Sequence, residues 1–270
     1  MNKLTALLLW STLSLCLNAQ ISLGPTVGSF GVLAGSTVTN SGPTVVTGNL
    51  GVSPGTAITG ITGIAPGGPG TVIGTIHSAD ATALQAQTEL TAAYNAAAGA
   101  ASTATVAGDL GGHTFFPGVY TSSSSLGITG TVTLDAQGNP NAQFIFKIAS
   151  ALTTATSSAV VLIDGAQPAN VFWQIGSSAT LGTGSSFSGN ILALSSISLG
   201  TNATLQGRAL ARNGAVTLLS NTINGSIGLG GGGGPPATPA PSTLILVTTA
   251  LIFAGIYHSR ERLLQTFRRS

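Results

Sequence analysis

The chain has 270 residues, of which 5% are charged and 43% are hydrophobic, whereas charged residues make up about 25% of an ordinary globular protein. A disordered chain would have few aliphatic residues and many charges, so this composition predicts a folded protein whose surface carries hydroxyl and amide groups. Between residues 20 and 242 there are three basic and five acidic residues, a net charge of 3 − 5 = −2, which leaves no basic patch for nucleic acid.

Residues 1–19 have the pattern of a secretory signal peptide. Lys3 precedes an apolar run over residues 4–17, and Leu17-Asn18-Ala19 is a suitable cleavage site. An uncleaved anchor is less favoured because the run is short. A lipoprotein site is less favoured because Leu15 is a poor residue to precede the acceptor cysteine. The only cysteine, Cys16, lies in this segment, so the mature chain would have no disulfide and no cysteine metal site.

Residues 29–62 contain short β-branched runs separated by Gly, Asn and Pro, which predicts solenoid-like strands. Within this stretch Thr56, Thr59 and Thr62 are spaced by three. Residues 64–70 are rich in Gly and Pro and predict a loop.

Residues 78–98 have a helical pattern instead. Ser78 can cap the helix, Asp80 favours its first turn and Gly99 is suited to end it. The segment is rich in alanine and almost uncharged, so we expect the helix to lie against a protein surface.

The most regular part of the chain is residues 170–225, which divide into the similar stretches 170–189, 190–207 and 208–225. Each begins with an apolar run, continues into a second short strand and ends at a Gly. This repeat indicates a β-solenoid, in which each coil buries its apolar residues by stacking on its neighbours. When the second strands are aligned, hydroxyl residues form two columns: Thr153, Thr180, Ser198 and Thr217, and then Thr156, Thr183, Thr201 and Ser220.

The first strand of each coil is apolar on both sides, which calls for a cover such as the predicted helix. We assign one set of alternating residues to the solenoid core and the other to the helix, with the reverse assignment left open. The core set is Ile145, Phe172, Leu192 and Leu210, and the helix set is Phe146, Trp173, Ala193 and Ala211.

The C-terminal part begins with a Gly/Pro-rich linker over residues 228–242. Residues 243–257 are a fifteen-residue apolar run, short for a membrane span, with Arg260 and Arg262 behind it. This order predicts a segment, residues 243–270, that inserts in a membrane at least transiently, with the folded domain outside. A buried core helix is the less favoured alternative.

The residues that carry chemistry in most enzymes are scattered. Asp109, Asp135 and Asp164 each fall beside a Gly or in a turn, and His77 and His113 have no partner motif nearby. The basic residues are expected to be solvated or to contact the helix. The sequence therefore predicts no catalytic site, no metal and no cofactor.

Several long stretches resemble the microbial ice-binding (antifreeze) protein family that bacteria, fungi and diatoms share. They are SFGVLAGSTVTNSGPTVVTGNLGVSPGTAITG from residue 29, TELTAAYNAAAG from residue 88, GDLGGHTFFPGVY from residue 108, TLDAQGNPNAQFIFKI from residue 133, and the run over residues 170–223. Together they span roughly residues 22–227. The resemblance implies a right-handed β-solenoid of triangular section, with a discontinuous coil order and one long helix packed alongside, over a domain of residues 20–227.

The resemblance also implies a function: a secreted or surface-attached protein that adsorbs to ice through a flat Thr/Ser-rich face and inhibits ice growth or recrystallisation. Both hydroxyl columns are candidates for that face, and Thr56, Thr59 and Thr62 are a second set. Threonine ladders also serve as plain solvated strand surface. An adhesive extracellular solenoid that binds polysaccharide or cells remains the alternative function.

The tail separately resembles PEP-CTERM sorting signals, with Pro239-Ala240-Pro241-Ser242 in place of the usual Pro-Glu-Pro. This resemblance implies a sorting protease as a partner, with the domain released or attached outside the cell.

Overall fold

The computed structural model describes residues 20–62 and 67–227, and within these ranges it contains one α-helix and 23 short strands. The helix is α1 (Ala81–Gly99). The strands are β1 (Phe30–Ala34), β2 (Thr37–Ser41), β3 (Val45–Thr47), β4 (Asn49–Val52), β5 (Ala57–Thr59), β6 (Thr71–Ile73), β7 (Ile76–Ser78), β8 (Ala104–Thr105), β9 (Gly108–Asp109), β10 (Thr114–Phe115), β11 (Gly118–Ser122), β12 (Leu126–Ile128), β13 (Thr131–Asp135), β14 (Phe144–Ile148), β15 (Leu152–Thr154), β16 (Ala159–Ile163), β17 (Val171–Ile175), β18 (Ala179–Leu181), β19 (Ser186–Ala193), β20 (Ile197–Leu199), β21 (Thr204–Ala211), β22 (Val216–Leu219) and β23 (Thr222–Asn224).

The strands follow one another in groups of three, and each group is one coil of a β-solenoid, as predicted. Face a contains β1, β4, β7, β8, β11, β14, β17 and the second halves of β19 and β21. Face b contains β2, β5, β9, β12, β15, β18, β20 and β22. Face c contains β3, β6, β10, β13, β16, β23 and the first halves of β19 and β21.

The coils stack through parallel pairing, so each strand lies beside its counterpart in the next coil. Face b is a separate sheet of eight strands, whereas faces a and c share a sheet of fifteen because β19 and β21 run around the corner between them. They bend at Gly189 and Gly207, which pair with each other and have φ angles of +114° and +154°. Glycine adopts such angles without the steric cost that a Cβ would add.

The interior of the solenoid is apolar and contains a continuous aromatic stack. The ring centroids of Phe146 and Trp173 lie 4.1 Å apart with an angle of 10° between the rings, and Phe115 and Phe187 extend the stack at its two ends. The Trp173 indole N–H donates to the carbonyl of Ser188 at 3.0 Å, so its polar group is satisfied. Stacked rings in successive coils reinforce the register that the backbone sets.

The two sides of face a are the reverse of our first assignment. Phe146, Trp173, Ala193 and Ala211 point into the solenoid, and Ile145, Phe172, Leu192 and Leu210 pack with Leu90 and the other buried residues of α1. Alternation with period two separates a strand's sides without saying which is inside. The aromatic rings fill the interior, while the flat alanine-rich side of α1 fits over the aliphatic set.

The order of the coils in space differs from their order in the chain, as the resemblance implied. Along face b the strands run β5-β2-β22-β20-β18-β15-β12-β9. On face a, β1 lies between β21 and β4. The coil that begins with β1 therefore stacks on the last coil of the chain.

Helix α1 begins at Ala81, three residues after the predicted start at residue 78, and its N-cap is Asp80 and not Ser78. The Asp80 carboxylate accepts a hydrogen bond from the Ala83 amide at 2.8 Å, which lowers the pKa of Asp80. Ser78 ends β7, and its hydroxyl donates to the carbonyl of Thr56 at 2.8 Å. Gly99 is the last helical residue.

The expectation that the basic residues are solvated or contact the helix is wrong for Arg208, which is buried. Its side chain is 1% exposed. The guanidinium donates to the Gly28 carbonyl through Nη2 at 2.7 Å and to the Asn190 side-chain oxygen through Nη1 at 2.8 Å. Burial lowers the pKa of Arg208 to about 10. Arg208 thus joins the segment before β1 to two coils from the far end of the chain.

Lys147 and Arg212 do contact the helix. Lys147 Nζ donates to the Ala100 carbonyl at 2.8 Å, and the Arg212 guanidinium lies 4.7 Å from the centre of the Tyr94 ring.

Replacing Arg208 by Met would leave the Gly28 and Asn190 oxygens buried without this donor. We expect Arg208→Met to lower the free energy of unfolding by about 3 kcal/mol, as for a charged hydrogen-bonding group lost from an interior. Urea denaturation measures this change. Lys147→Met is the control, since it removes one bond at a partly buried site, and it should cost about 1 kcal/mol. Equal losses in the two variants would contradict the assignment.

Candidate functional site

Face b presents one outward position per coil in continuous register. Thr153 pairs with Thr180, Thr180 with Ser198, and Ser198 with Thr217, which is the first column aligned in the sequence. The flanking residues of each strand, such as Ala179 and Leu181, are buried. Since neighbouring side chains of a strand point to opposite sides, all members of the column point outward.

Coil order extends this column beyond the aligned residues. Thr217 pairs with Thr39, and Thr39 pairs with Thr59. At the other end Thr153 pairs with Gly127, and Gly127 with Asp109. We call the six hydroxyl residues in consecutive coils the b column: Thr59, Thr39, Thr217, Ser198, Thr180 and Thr153.

Sequence reasoning missed Thr39 and placed Thr59 in a different set. The alternation around the buried residue Val38 could have marked Thr39 as outward. Nothing in the linear order, however, places residue 39 beside residue 217. The register across the discontinuous coils decides this.

The second predicted column lies in the turns between faces b and c and not on the strands. Thr156, Thr183 and Thr201 are exposed there, and the Gly184 amide donates to the Thr201 carbonyl at 2.9 Å, so the turns stack as the strands do. Ser220 is half-buried and has a φ of +53°. The structure thus separates the two columns into a flat part and a corner.

The set formed by Thr56, Thr59 and Thr62 does not stay together. Thr56 is exposed just before β5, and its carbonyl accepts from Ser78. The Thr62 hydroxyl donates to the Gly68 carbonyl at 2.9 Å, so it serves the loop. Only Thr59 joins the b column.

Face b is uncharged from β12 to β5, since these seven strands contain no Asp, Glu, Lys, Arg or His. The charge nearest to the column in sequence register is Asp109 in β9. Hydrogen bonds from the Thr129 side chain and from the amides of Gly111 and Thr129 lower the pKa of Asp109. Its carboxylate is thereby held at the end of the face, one coil beyond Gly127.

The other two faces are less uniform. Face a is covered by α1. Face c has a comparable row in Thr71, Val45, Thr222, Thr204, Ser186, Ala159 and Thr131. It also contains four of the large hydrophobic residues that are exposed in the described part of the chain, Val45, Ile73, Val161 and Ile163. Face b has none of these.

A cavity of about 790 Å³ lies away from face b, between the C-terminal end of α1 and residues 20–21. Over residues 20–62 and 67–227 there is no group of three or more His, Cys, Asp or Glu residues that could hold a metal ion. What face b can do is present hydroxyl and methyl groups at a fixed repeat, about 4.8 Å from coil to coil.

The sequence profile of the ice-binding-like family matches residues 32–224, which is most of the solenoid. The chain belongs to the ice-binding-like family.

Other members of the family are similar over the same region. An ice-binding protein from Nostoc sp. (strain HG1) is 52% identical over 208 residues, covering 76% of this chain and 75% of that protein. One from Colwellia sp. is 38% identical and covers 73% of this chain and 81% of that protein. Both relatives are named for binding to ice and not for a catalytic activity.

Solved structures agree with the solenoid. An ice binding protein from an Antarctic biological consortium has a TM-score of 0.71 at 49% identity, covering 76% of this chain and 90% of its own. An ice-binding protein from Antarctomyces psychrotrophicus has a TM-score of 0.71 at 40% identity, covering 76% of this chain and 98% of its own. The similarity thus extends over almost the whole of each solved chain.

The predicted signal peptide, linker and C-terminal segment fall on residues 1–19 and 228–270, which lie outside the described residues. In the part of the chain that is described, no helix is both long and apolar enough to cross a membrane.

Close stacking of coils predicts different tolerances at Gly127, in β12 of face b, and at Gly200, which directly follows β20. A Cβ on Gly200 would lie 2.8 Å from the Thr183 nitrogen, whereas a Cβ on Gly127 would meet nothing closer than 3.9 Å. We expect Gly200→Ala to lower the free energy of unfolding by about 2 kcal/mol through overpacking, and Gly127→Ala to change it by less than about 0.5 kcal/mol. Urea denaturation of both variants checks this, and equal effects would contradict the stacking.

Proposed function

We propose that this chain binds ice through face b. The observation that carries the proposal is the b column: six consecutive coils each present a Thr or Ser from the same register position. Membership of the ice-binding-like family, and relatives named for ice binding, support it.

The column has a geometry that can organise water as a lattice. With coils about 4.8 Å apart, six hydroxyls span about 24 Å, and outward positions along one strand are about 7 Å apart. A threonine methyl favours ordered, cage-like water, while the hydroxyl holds that water by a hydrogen bond. Its β-branched side chain also has few rotamers to lose on binding.

The absence of charge from β12 to β5 serves the same end. Ions are strongly hydrated, so a Lys or Glu on the face would impose its own water structure on the layer next to the ice. Asp109 is the charge at one end, and Gly127 separates it from Thr153.

Rigidity makes many weak contacts add up. Five of the six strands that carry the b column have a hydrogen-bonded strand on both sides, and β5, at the end of the sheet, is paired with β2. The aromatic stack fills the interior behind these strands. A face already held in its binding conformation loses little entropy when it adsorbs. Adsorbed molecules then obstruct the advance of the ice surface, and this inhibits growth and recrystallisation.

We also propose that the domain acts outside the cell, on the strength of the leader pattern of residues 1–19. The proposal extends to the tail: residues 228–270 serve attachment or sorting, as their resemblance to PEP-CTERM signals suggests. The N-terminal residue and intact mass of the extracellular protein would test both statements.

Polysaccharide binding finds less support on the exposed surface. Carbohydrate sites present exposed aromatic rings, and Trp173 is fully buried while Tyr94 is 7% exposed. Phe116, the aromatic residue among the exposed large hydrophobics of the described chain, follows β10 and lies away from the b column.

A bulky ring in the b column should lift the face away from the ice. We expect Thr180→Tyr to raise the concentration needed to inhibit ice recrystallisation at least roughly tenfold, while near-ultraviolet and far-ultraviolet circular dichroism stay unchanged. Thr222→Tyr, an exposed threonine on face c, is the matched control and should keep activity. Thr183→Tyr tests whether the corner takes part.

The outcomes separate the alternatives. Loss of activity in Thr222→Tyr with activity kept in Thr180→Tyr would move the site to face c. A folded wild-type protein that leaves ice growth and crystal shape unchanged would overturn the proposed function.

The glycine at the end of the b column predicts a gain of activity. Gly127 has room for a side chain, so Gly127→Thr would lengthen the column from six coils to seven, about 4.8 Å more. We expect a lower inhibitory concentration in the recrystallisation assay than for wild type. Gly127→Ala is the control for folding and for the methyl group alone, and reduced activity in the Thr variant would count against the column.

A further inference from the structure

The sequence contains two Asn-Gly pairs, Asn213-Gly214 and Asn224-Gly225. In such a pair the glycine nitrogen can attack the side-chain carbonyl carbon of the asparagine, because glycine has no Cβ to hinder the approach. A bond forms between this nitrogen and Cγ, the bond between Cγ and Nδ2 breaks, and the proton of the attacking nitrogen leaves with the amide as ammonia. Water then opens the succinimide ring and gives aspartate or isoaspartate. The two pairs have different surroundings in the structure.

Asn224 is held by hydrogen bonds at both reacting groups. It ends β23, which pairs with β21 and β3. Its Nδ2, the leaving group, donates to the Gln206 side-chain oxygen at 3.0 Å, and its Oδ1 accepts from the Ser226 amide at 3.3 Å. The attacking nitrogen of Gly225 donates to the Thr47 carbonyl at 2.8 Å. Ring closure removes the donors of two of these bonds, so the folded structure opposes it.

Asn213 lies in the turn that joins β21 on face a to β22 on face b, and this turn is one residue longer than the turn stacked beside it. Ala193 pairs with Ala211, and Ile197 pairs with Val216. Between these paired positions the chain advances four residues in one coil and five in the other. The longer turn therefore cannot match its neighbour residue for residue.

The Asn213 side chain is exposed in this turn. Its amide makes no hydrogen bond to another residue of the described ranges, so it rotates between rotamers in picoseconds to nanoseconds. The Gly214 nitrogen donates to the Ser195 carbonyl at 3.2 Å, which is a longer bond than the one at Gly225. The leaving group at Asn213 is thus free, and the attacking nitrogen is held less closely than at the other pair.

The packing of this corner also requires the glycine of the reactive pair. A Cβ on residue 214 would lie 2.7 Å from the Ser195 carbonyl carbon and close to the Ser196 hydroxyl. A larger residue, which would slow the attack, does not fit there without a shift of the backbone. The reactive pair is therefore a consequence of the close stacking of the coils.

We propose that Asn213-Gly214 is a site of spontaneous deamidation in the folded protein, whereas Asn224-Gly225 is protected. Water is the only co-reactant, and the product is an aspartate or isoaspartate at residue 213 with release of ammonia. The proposal is independent of the proposed function of face b.

The site lies where the first coil of the chain stacks on the last. The Gly214 carbonyl accepts from the Gly35 amide at 3.0 Å and from the Ser36 amide at 3.1 Å. In isoaspartate the main chain runs through the side-chain carbon, which inserts an extra carbon before residue 214. This displaces the Gly214 carbonyl from both amides, just before the strands that align Thr217 with Thr39. We therefore expect the isoaspartate product to be less stable than the unmodified protein.

The test compares the two sites in one sample. The purified protein is incubated at mildly alkaline pH, below its unfolding temperature, and peptide mass spectrometry with fragmentation assigns each new acid to residue 213 or 224. We expect deamidation at Asn213 to be at least about tenfold faster than at Asn224, since a displacement of reacting groups by about 1 Å can cost about a hundredfold in rate. In protein unfolded with urea the two rates should be similar, because each asparagine precedes a glycine.

Asn213→Gln is the matched control, since its longer side chain closes a six-membered ring far more slowly. After the same incubation, the urea midpoint of the wild-type protein should fall in proportion to its isoaspartate content, while that of Asn213→Gln stays constant. Equal rates at the two sites in the folded protein would overturn the proposal. So would an unmodified Asn213 in folded protein when the unfolded chain reacts under the same conditions.

Discussion

The parallel, in-register stacking of coils is the constraint on which the rest of this structure depends. Backbone hydrogen bonds between coils place residues such as Thr180 and Ser198 side by side, and the two-residue period of a strand decides that both point outward. One outward position in a coil is thereby copied along the whole face. The same rule aligns Phe146 and Trp173 inside, where their rings stack and oppose any slip of register.

Without further structural features, the stacked coils would have open strand edges at the ends of the solenoid and an uncovered apolar surface on the outer side of face a. β8, β9 and β10 at one end have only two residues each, which gives another chain little to pair with. α1 covers the outer side of face a, and the Glu89 carboxylate accepts from the amides of Thr26 and Val27 at 2.8 and 2.9 Å. The Arg208 guanidinium holds the same segment by donating to the Gly28 carbonyl. The segment before β1 is thus held from two sides, where the coil order is interrupted.

Each face of the solenoid is consequently free to differ in what it presents. Face a buries its outer residues under α1, face c mixes hydroxyls with exposed aliphatics, and face b presents hydroxyls without charge. A planar, repetitive target such as ice is matched by repetition, so contact area and rigidity count for more than any single residue. This is a different design from a pocket, where a few convergent groups carry recognition.

The sequence by itself determined the β-solenoid, the single helix of the described region and the first hydroxyl column, because each coil repeats its alternation locally. It left the inner and outer sides of face a undecided, since alternation is symmetric. It also placed the helix cap at Ser78, whereas the side chain that accepts from the Ala83 amide is that of Asp80, three residues before it. Only the tertiary structure put Thr39 and Thr59 into the b column and Thr183 and Thr201 at its corner. It also buried Arg208. Those placements depend on which coils stack on which, and contacts between residues as far as 180 positions apart, such as Arg208 and Gly28, stabilise that order.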